Sequence, residues 1–170
     1  MRTLLILRHA KSSWAVPGQR DFDRELSRKG HQQLEQLARF AREQTITASA
    51  ALCSPAARTR ATFEGIAAAL GQPSATFEDR LYNGTVEGYL DILSTADGAD
   101  VLLVGHNPTC DELVRHLAAP SSPEGERLQA SHFATCTLAR LRFVTDEWVD
   151  LRRGSGTLDL FVTPKMLQQA

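Results

Sequence analysis

Short apolar runs alternate along the chain with longer stretches in which apolar residues recur at helical spacing, a pattern that predicts strands interleaved with helices. Thr3 to Leu7 is an unbroken apolar run of the kind that forms a strand covered on both faces, and it ends at Arg8. After a loop rich in Ser, Pro, Gly and Asp, Ser27 stands as an N-cap before Leu34, Leu37, Ala38 and Ala41, which predict a helix from Arg28 to Glu43. Ala48 to Cys53 reads as a second strand, Ser54-Pro55 as a turn, and Ala56 to Leu70 as an Ala-rich helix stopped by Gly71 and Pro73. A strand near Ala75–Phe77 and a helix near Val86–Thr95 follow. The run Val101-Leu102-Leu103-Val104 then ends in Gly105-His106-Asn107-Pro108, with Asn107 as N-cap and Pro108 as first residue of a helix reaching Leu117. From Thr135 the pattern becomes alternating: Cys136, Leu138, Leu141 and Phe143, then Trp148 to Leu151, then Leu158 to Val162. These predict antiparallel strands. Pro120–Gly125 reads as loop and the tail after Pro164 as a short helix. The predicted fold is α/β: a three-layer α/β/α sandwich with a mostly parallel central sheet and antiparallel edge strands near the C-terminus.

The chain has 170 residues, 42% of them hydrophobic, and is expected to form one domain over residues 1–170 with a core that needs no disulfide. Nineteen Lys and Arg against twenty Asp and Glu leave a formal charge of −1, without the positive excess of a nucleic-acid binder. Cys53, Cys110 and Cys136 are widely spaced, with no C-x-x-C pair, which fits a reducing cytosol and a cytoplasmic protein. The first apolar run is too short for a signal peptide or a membrane span, so no membrane partner is expected. A monomer is the expected state.

The candidate chemistry lies where the strongest strands end. In open α/β sheets ligands bind beyond the carboxyl ends of the strands. Here those ends carry Arg8-His9, Ser54 through Arg58, and Gly105-His106-Asn107-Pro108. Two imidazoles and two guanidiniums would meet beside a helix N-terminus, an environment for a phosphoryl group. Arg8 and Arg58 suit it because a guanidinium forks onto two phosphate oxygens and stays charged. A neutral His9 can attack phosphorus in line and carry the phosphoryl as phosphohistidine. A protonated His106 would add positive charge where negative charge builds in the transition state. His31, His116 and His132 stand at no such strand end. Cys53 precedes Arg58 as C-x4-R and Arg60 as C-x6-R, whereas a cysteine phosphatase needs C-x5-R, so Cys53 reads as a buried strand terminus. Neither a clustered-carboxylate metal site nor a nucleotide-binding glycine motif accompanies these residues, and no metal or cofactor is expected.

These residues resemble the histidine phosphatase superfamily, the phosphoglycerate mutase-like proteins, and especially its small SixA-type phosphohistidine phosphatases. Arg8-His9-Ala10-Lys11-Ser12-Ser13-Trp14 is similar to the family's opening motif, Ser54-Pro55 through Arg58 and Thr62 to its helix start, and Gly105-His106-Asn107-Pro108 to its second-histidine motif. Asp21 through Gly30, DFDRELSRKG, resembles its D-x-x-R-P-L-x-x-x-G segment, with Glu25 in place of proline. The likeness runs from Arg2 to Val144. It implies a phosphohistidine on His9, a phosphate pocket of Arg8, Arg58 and His106, and substrate contacts from Ser12 and Asn107. Ala10, Lys11 and Ala15 replace the glycine, glutamate and asparagine of the mutase branch and argue against mutase activity. Asp79 lies nearest the position from which mutase-like members protonate the leaving group. So few residues separate Arg58 from His106 that no phytase-like cap fits, and the pocket is expected to be open, as a phosphorylated side chain on a folded protein requires. The expected partner is therefore a phosphorylated protein, such as a histidine phosphotransfer protein. The alternatives are a small phosphate ester, or a catalytically idle phosphate-binding module on the same fold.

Overall fold

In the computed structural model, which describes residues 1–14 and 16–169, Leu4, Leu5, Ile6 and Leu7 are all 0% exposed. They lie on β1 (Arg2–Arg8), and alternation along the strand sends them to opposite faces. Leu4 and Ile6 join one core and Leu5 and Leu7 the other. The same logic runs through β2 (Ala50–Cys53), β3 (Ser74–Phe77) and β4 (Asp100–Gly105). With β5 (Leu138–Phe143) and β6 (Gly156–Val162) they form one six-stranded sheet, in the order β3-β2-β4-β1-β5-β6. The first four strands are parallel. β5 runs antiparallel to β1, and β6 antiparallel to β5.

One face is covered by α1 (Arg28–Glu43), α2 (Ala57–Ala67) and α6 (Pro164–Leu167), whose apolar stripes include Leu34, Leu37 and Ile66. The other is covered by α3 (Val86–Ser94), α4 (Thr109–Leu117) and α5 (Gly125–Ala130), through Tyr89, Leu113 and Leu128. This is the expected three-layer sandwich. Each fully buried leucine contributes about 1.5–3 kcal/mol, so the two cores together fix the sheet between the helices. Among the described residues no helix is long and apolar enough to cross a membrane.

α1 begins where Ser27 predicts, because the Ser27 hydroxyl accepts from the Gly30 amide at 3.1 Å and donates to the Lys11 carbonyl. Gly30 is required here: a Cβ on it would lie 2.1 Å from the Lys11 oxygen. The predicted helix from Ala56 to Leu70 is α-helical only to Ala67, then tightens into a 3₁₀ turn over Ala68–Leu70 before Gly71 ends it with φ +85°. Three further expectations are corrected. Trp148–Asp150 is a 3₁₀ turn rather than a strand, fixed by the Trp148 indole donating to the Gly98 carbonyl. Pro108, after a cis peptide, holds the cap position of α4, while the Asn107 side chain turns away to the Phe133 carbonyl. Cys136 precedes β5 with φ +60° instead of lying in it. The substitution expected at Ala15 lies outside the described residues.

Candidate active site

The parallel register puts Arg8 beside Gly105 and Cys53 beside Val104, so β1, β2 and β4 release their chains at one edge of the sheet. The first turn of α2 then carries Arg58, and the turn into α4 carries His106. His9 and His106 are 6% and 7% exposed, with ring centroids 5.4 Å apart. Arg58 is equally buried and donates from Nη2 to His106 Nδ1 at 3.3 Å. Arg8 donates from Nη1 to the Phe133 carbonyl at 3.0 Å. The Nε–H groups of both Arg8 and Arg58 are buried and have no protein acceptor. Buried donors of this kind normally have a partner.

The network assigns the tautomers. His9 Nδ1 donates to the Ala10 carbonyl at 2.8 Å, which leaves the lone pair on Nε2. Because a guanidinium only donates, His106 accepts at Nδ1 and its Nε2–H donates to the Ser54 hydroxyl at 2.7 Å. Burial, opposed by the Ala10 contact and aided by Arg58, Arg8 and Arg24, lowers the pKa of His9 to about 4. Burial, then His9 and Arg58, lowers that of His106 to about 3. His9 is thus neutral, the form that an in-line attack requires. The positive charge expected on His106 is not supplied by the protein's own field and would have to be induced by a bound anion.

Several residues around this group were given no role in the sequence reading. The Thr62 hydroxyl accepts from the Ala10 amide at 2.9 Å and donates to the Arg58 carbonyl at 2.7 Å, joining the end of β1 to α2. The Cys136 amide donates to the carbonyls of both Arg8 and His9. The Phe133 carbonyl accepts from Arg8 and from Asn107, an acceptor that no side-chain pattern could reveal. Asp21 accepts from Arg58 and Arg24 and from the Tyr82 hydroxyl at 2.6 Å. That contact with Tyr82, with those of Arg58 and Arg24, brings its pKa down to about 2 against the opposing effect of burial. Asp21 and Arg24 both belong to the DFDRELSRKG segment, and Ser54 opens the motif that carries Arg58, so their positions were visible though their roles were not.

Of the other predicted residues, Ser12 reaches the group through Arg24, whose Nη1 donates to its hydroxyl at 2.9 Å. Asn107 shares the Phe133 carbonyl with Arg8 and keeps a buried Oδ1 without a donor. Asp79 is exposed on the turn before Tyr82, and among the described residues its carboxylate bonds to none of the four. Cys53 is fully buried with its thiol pushed up to about 12 by desolvation, which makes it a poor nucleophile. A cleft of about 490 Å³ opens beside His106, lined among others by Tyr82, Asn107, Thr109, Glu87 and Glu112. Among the described residues no group of three or more His, Cys, Asp or Glu is placed to hold a metal ion.

An unprotonated imidazole nitrogen near two guanidiniums whose Nε–H groups are buried without an acceptor is an arrangement that can hold a tetrahedral oxyanion and attack it. The family model of the histidine phosphatase superfamily (branch 1) matches residues 4–90, and the chain belongs to that superfamily of phosphatases. An uncharacterized protein of Mycobacterium tuberculosis is 34% identical over 167 residues, 94% of this chain and 100% of its own. A protein of Nakamurella multipartitia, provisionally named a phosphohistidine phosphatase SixA, superposes with a TM-score of 0.80 at 34% identity over 96% of each chain. The protein histidine phosphatase SixA complexed with tungstate superposes with a TM-score of 0.75 at 25% identity, over 97% of this chain and 99% of its own. The likeness within the superfamily is thus of SixA type.

Proposed function

We propose that the protein removes the phosphoryl group from phosphohistidine on other proteins, through a phosphohistidine of its own at His9. The observation that carries this reading is the pair of buried, acceptor-less Nε–H groups of Arg8 and Arg58 flanking a histidine whose Nε2 lone pair is free. The arginines would clamp the phosphoryl oxygens while Nε2 of His9 attacks phosphorus in line. The new P–N bond forms as the bond to the substrate imidazole breaks. The departing imidazole keeps the electron pair and takes up a proton. Water then attacks the phosphorylated His9, releasing inorganic phosphate and the free imidazole. His106 would gain its proton only against the negative charge of the bound phosphoryl, adding stabilisation as charge builds.

Imidazole leaves phosphorus more readily than an alkoxide, so the exposed Asp79 is needed less as a proton donor than it would be for a phosphate ester. The open cleft with Glu87 and Glu112 also supports a protein substrate over an anionic metabolite, whose carboxylate those two groups would repel. Ser12, by way of Arg24, and Asn107 would set the edges of the phosphoryl site. On this reading the protein works as a monomer without metal or cofactor, and three buried free thiols support a reducing compartment such as the cytoplasm.

The test is to quench turnover of a phosphohistidine protein and look for phosphate on the enzyme in an acid-labile, alkali-stable form. The adduct is expected in the wild type and absent from His9→Ala, with turnover reduced on the order of a thousandfold or more. A panel of sugar phosphates run alongside should give lower kcat/KM. Turnover without the adduct, undiminished in His9→Ala, would overturn the proposal.

A further inference from the structure

Asp21 places an anion at the edge of a pocket assembled to bind one. Its backbone carbonyl accepts from Arg58 Nη1 at 2.7 Å and its Oδ2 from Arg58 Nη2 at 3.0 Å, so the whole end-on edge of that guanidinium is turned toward a single residue. The other carboxylate oxygen accepts from Arg24 Nε at 3.0 Å. Arg24 is 8% exposed, donates to Ser12, stacks at 3.6 Å over the Trp14 ring and lies close enough to depress the His9 pKa. Three guanidiniums, of Arg8, Arg24 and Arg58, therefore surround two neutral imidazoles. These three guanidiniums with Asp21 carry a net charge of +2, the complement of a phosphate dianion, and without Asp21 they would carry +3.

We infer that Asp21 is a built-in counter-anion that weakens the grip of Arg58 and Arg24 on phosphate, and so sets how fast the product leaves. The inference rests on the phosphoryl-binding reading of the pocket. Asp21 acts through the arginines and is a positioning residue. It holds Arg58 so that its Nε–H, which has no protein acceptor, is left for a phosphoryl oxygen. It also competes with those oxygens for the same charge. The two effects have opposite signs on phosphate affinity, and substitution separates them. Asp21→Asn keeps an acceptor oxygen and the backbone carbonyl on Arg58 but removes the charge. Asp21→Glu keeps the charge.

The experiment measures inhibition of aryl phosphate hydrolysis by inorganic phosphate, with tungstate binding by calorimetry as an independent probe of the empty pocket. Removing a half-exposed unit charge from beside a dianion should lower the inhibition constant roughly fivefold in Asp21→Asn, with a lower kcat as release slows. Asp21→Glu should stay within about twofold of wild type. Unchanged or weaker phosphate inhibition in Asp21→Asn would show that Asp21 only supports Arg58, and would overturn the inference. A wild-type protein that binds neither phosphate nor tungstate would instead overturn the reading of the pocket itself.

Discussion

His9 and His106 are buried at a cost that depends on pH. In an unfolded chain each would take a proton near its ordinary value of about 6.5. In the folded protein they resist protonation until about 4 and about 3. Between those limits the unfolded state binds more protons than the folded one, so stability rises with pH across the window and is lost as the solution is acidified. Above about pH 7 neither group discriminates. The loss at pH 5 relative to pH 7 should approach ~2 kcal/mol for each imidazole, readable as a fall in the urea midpoint. His106→Asn should show a shallower acid dependence than the wild type. Parallel curves for the two proteins would contradict the burial argument.

At the scale of elements, the site depends on how closely α1 and α2 are sewn to the end of β1. The Gly30 position tolerates no side chain because the Lys11 backbone, unlike a flexible side chain, cannot give way. Gly30→Ala should cost about 1–3 kcal/mol by overpacking, despite the higher helix propensity of alanine. Urea unfolding would measure it, and a neutral or stabilising effect would show that α1 can shift freely. The elements themselves were legible in proportion to how far burial dictated them. β1, α1 and α4 follow the reading closely because both faces or a strong stripe are apolar, and in α1 the Ser27 cap also marks the start. Trp148–Asp150 misled because a buried Trp148 followed by an exposed Val149 mimics strand alternation, while a 3₁₀ turn presents the same order. α5 went unseen because Leu128 is its one buried residue. The four residues of the site were legible as polar chemistry at the ends of apolar runs. The role of Asp21 was not, although its segment was, because nothing in the sequence pairs it with Arg58, and the Phe133 carbonyl was not because it is a backbone group whose role any residue could fill.

The molecule as a whole concentrates its function at the middle of the sheet, with β1 flanked by β4 on one side and β5 on the other. His9, the proposed nucleophile, follows β1 and precedes in the chain both strands that flank β1. Its strand pairs with residues 100–105 and 138–143, and its carbonyl is gripped by the amide of Cys136. Pairings so distant in sequence close large loops before they return any contact, and they make folding slow. A chain stopped at Ala134 should lack cooperative unfolding by circular dichroism as well as all turnover, and a compact, active fragment would contradict this. A histidine held from so far along the chain gains its surroundings only when β5 docks, so the proposed reactivity belongs to the closed sheet and to no smaller piece of it.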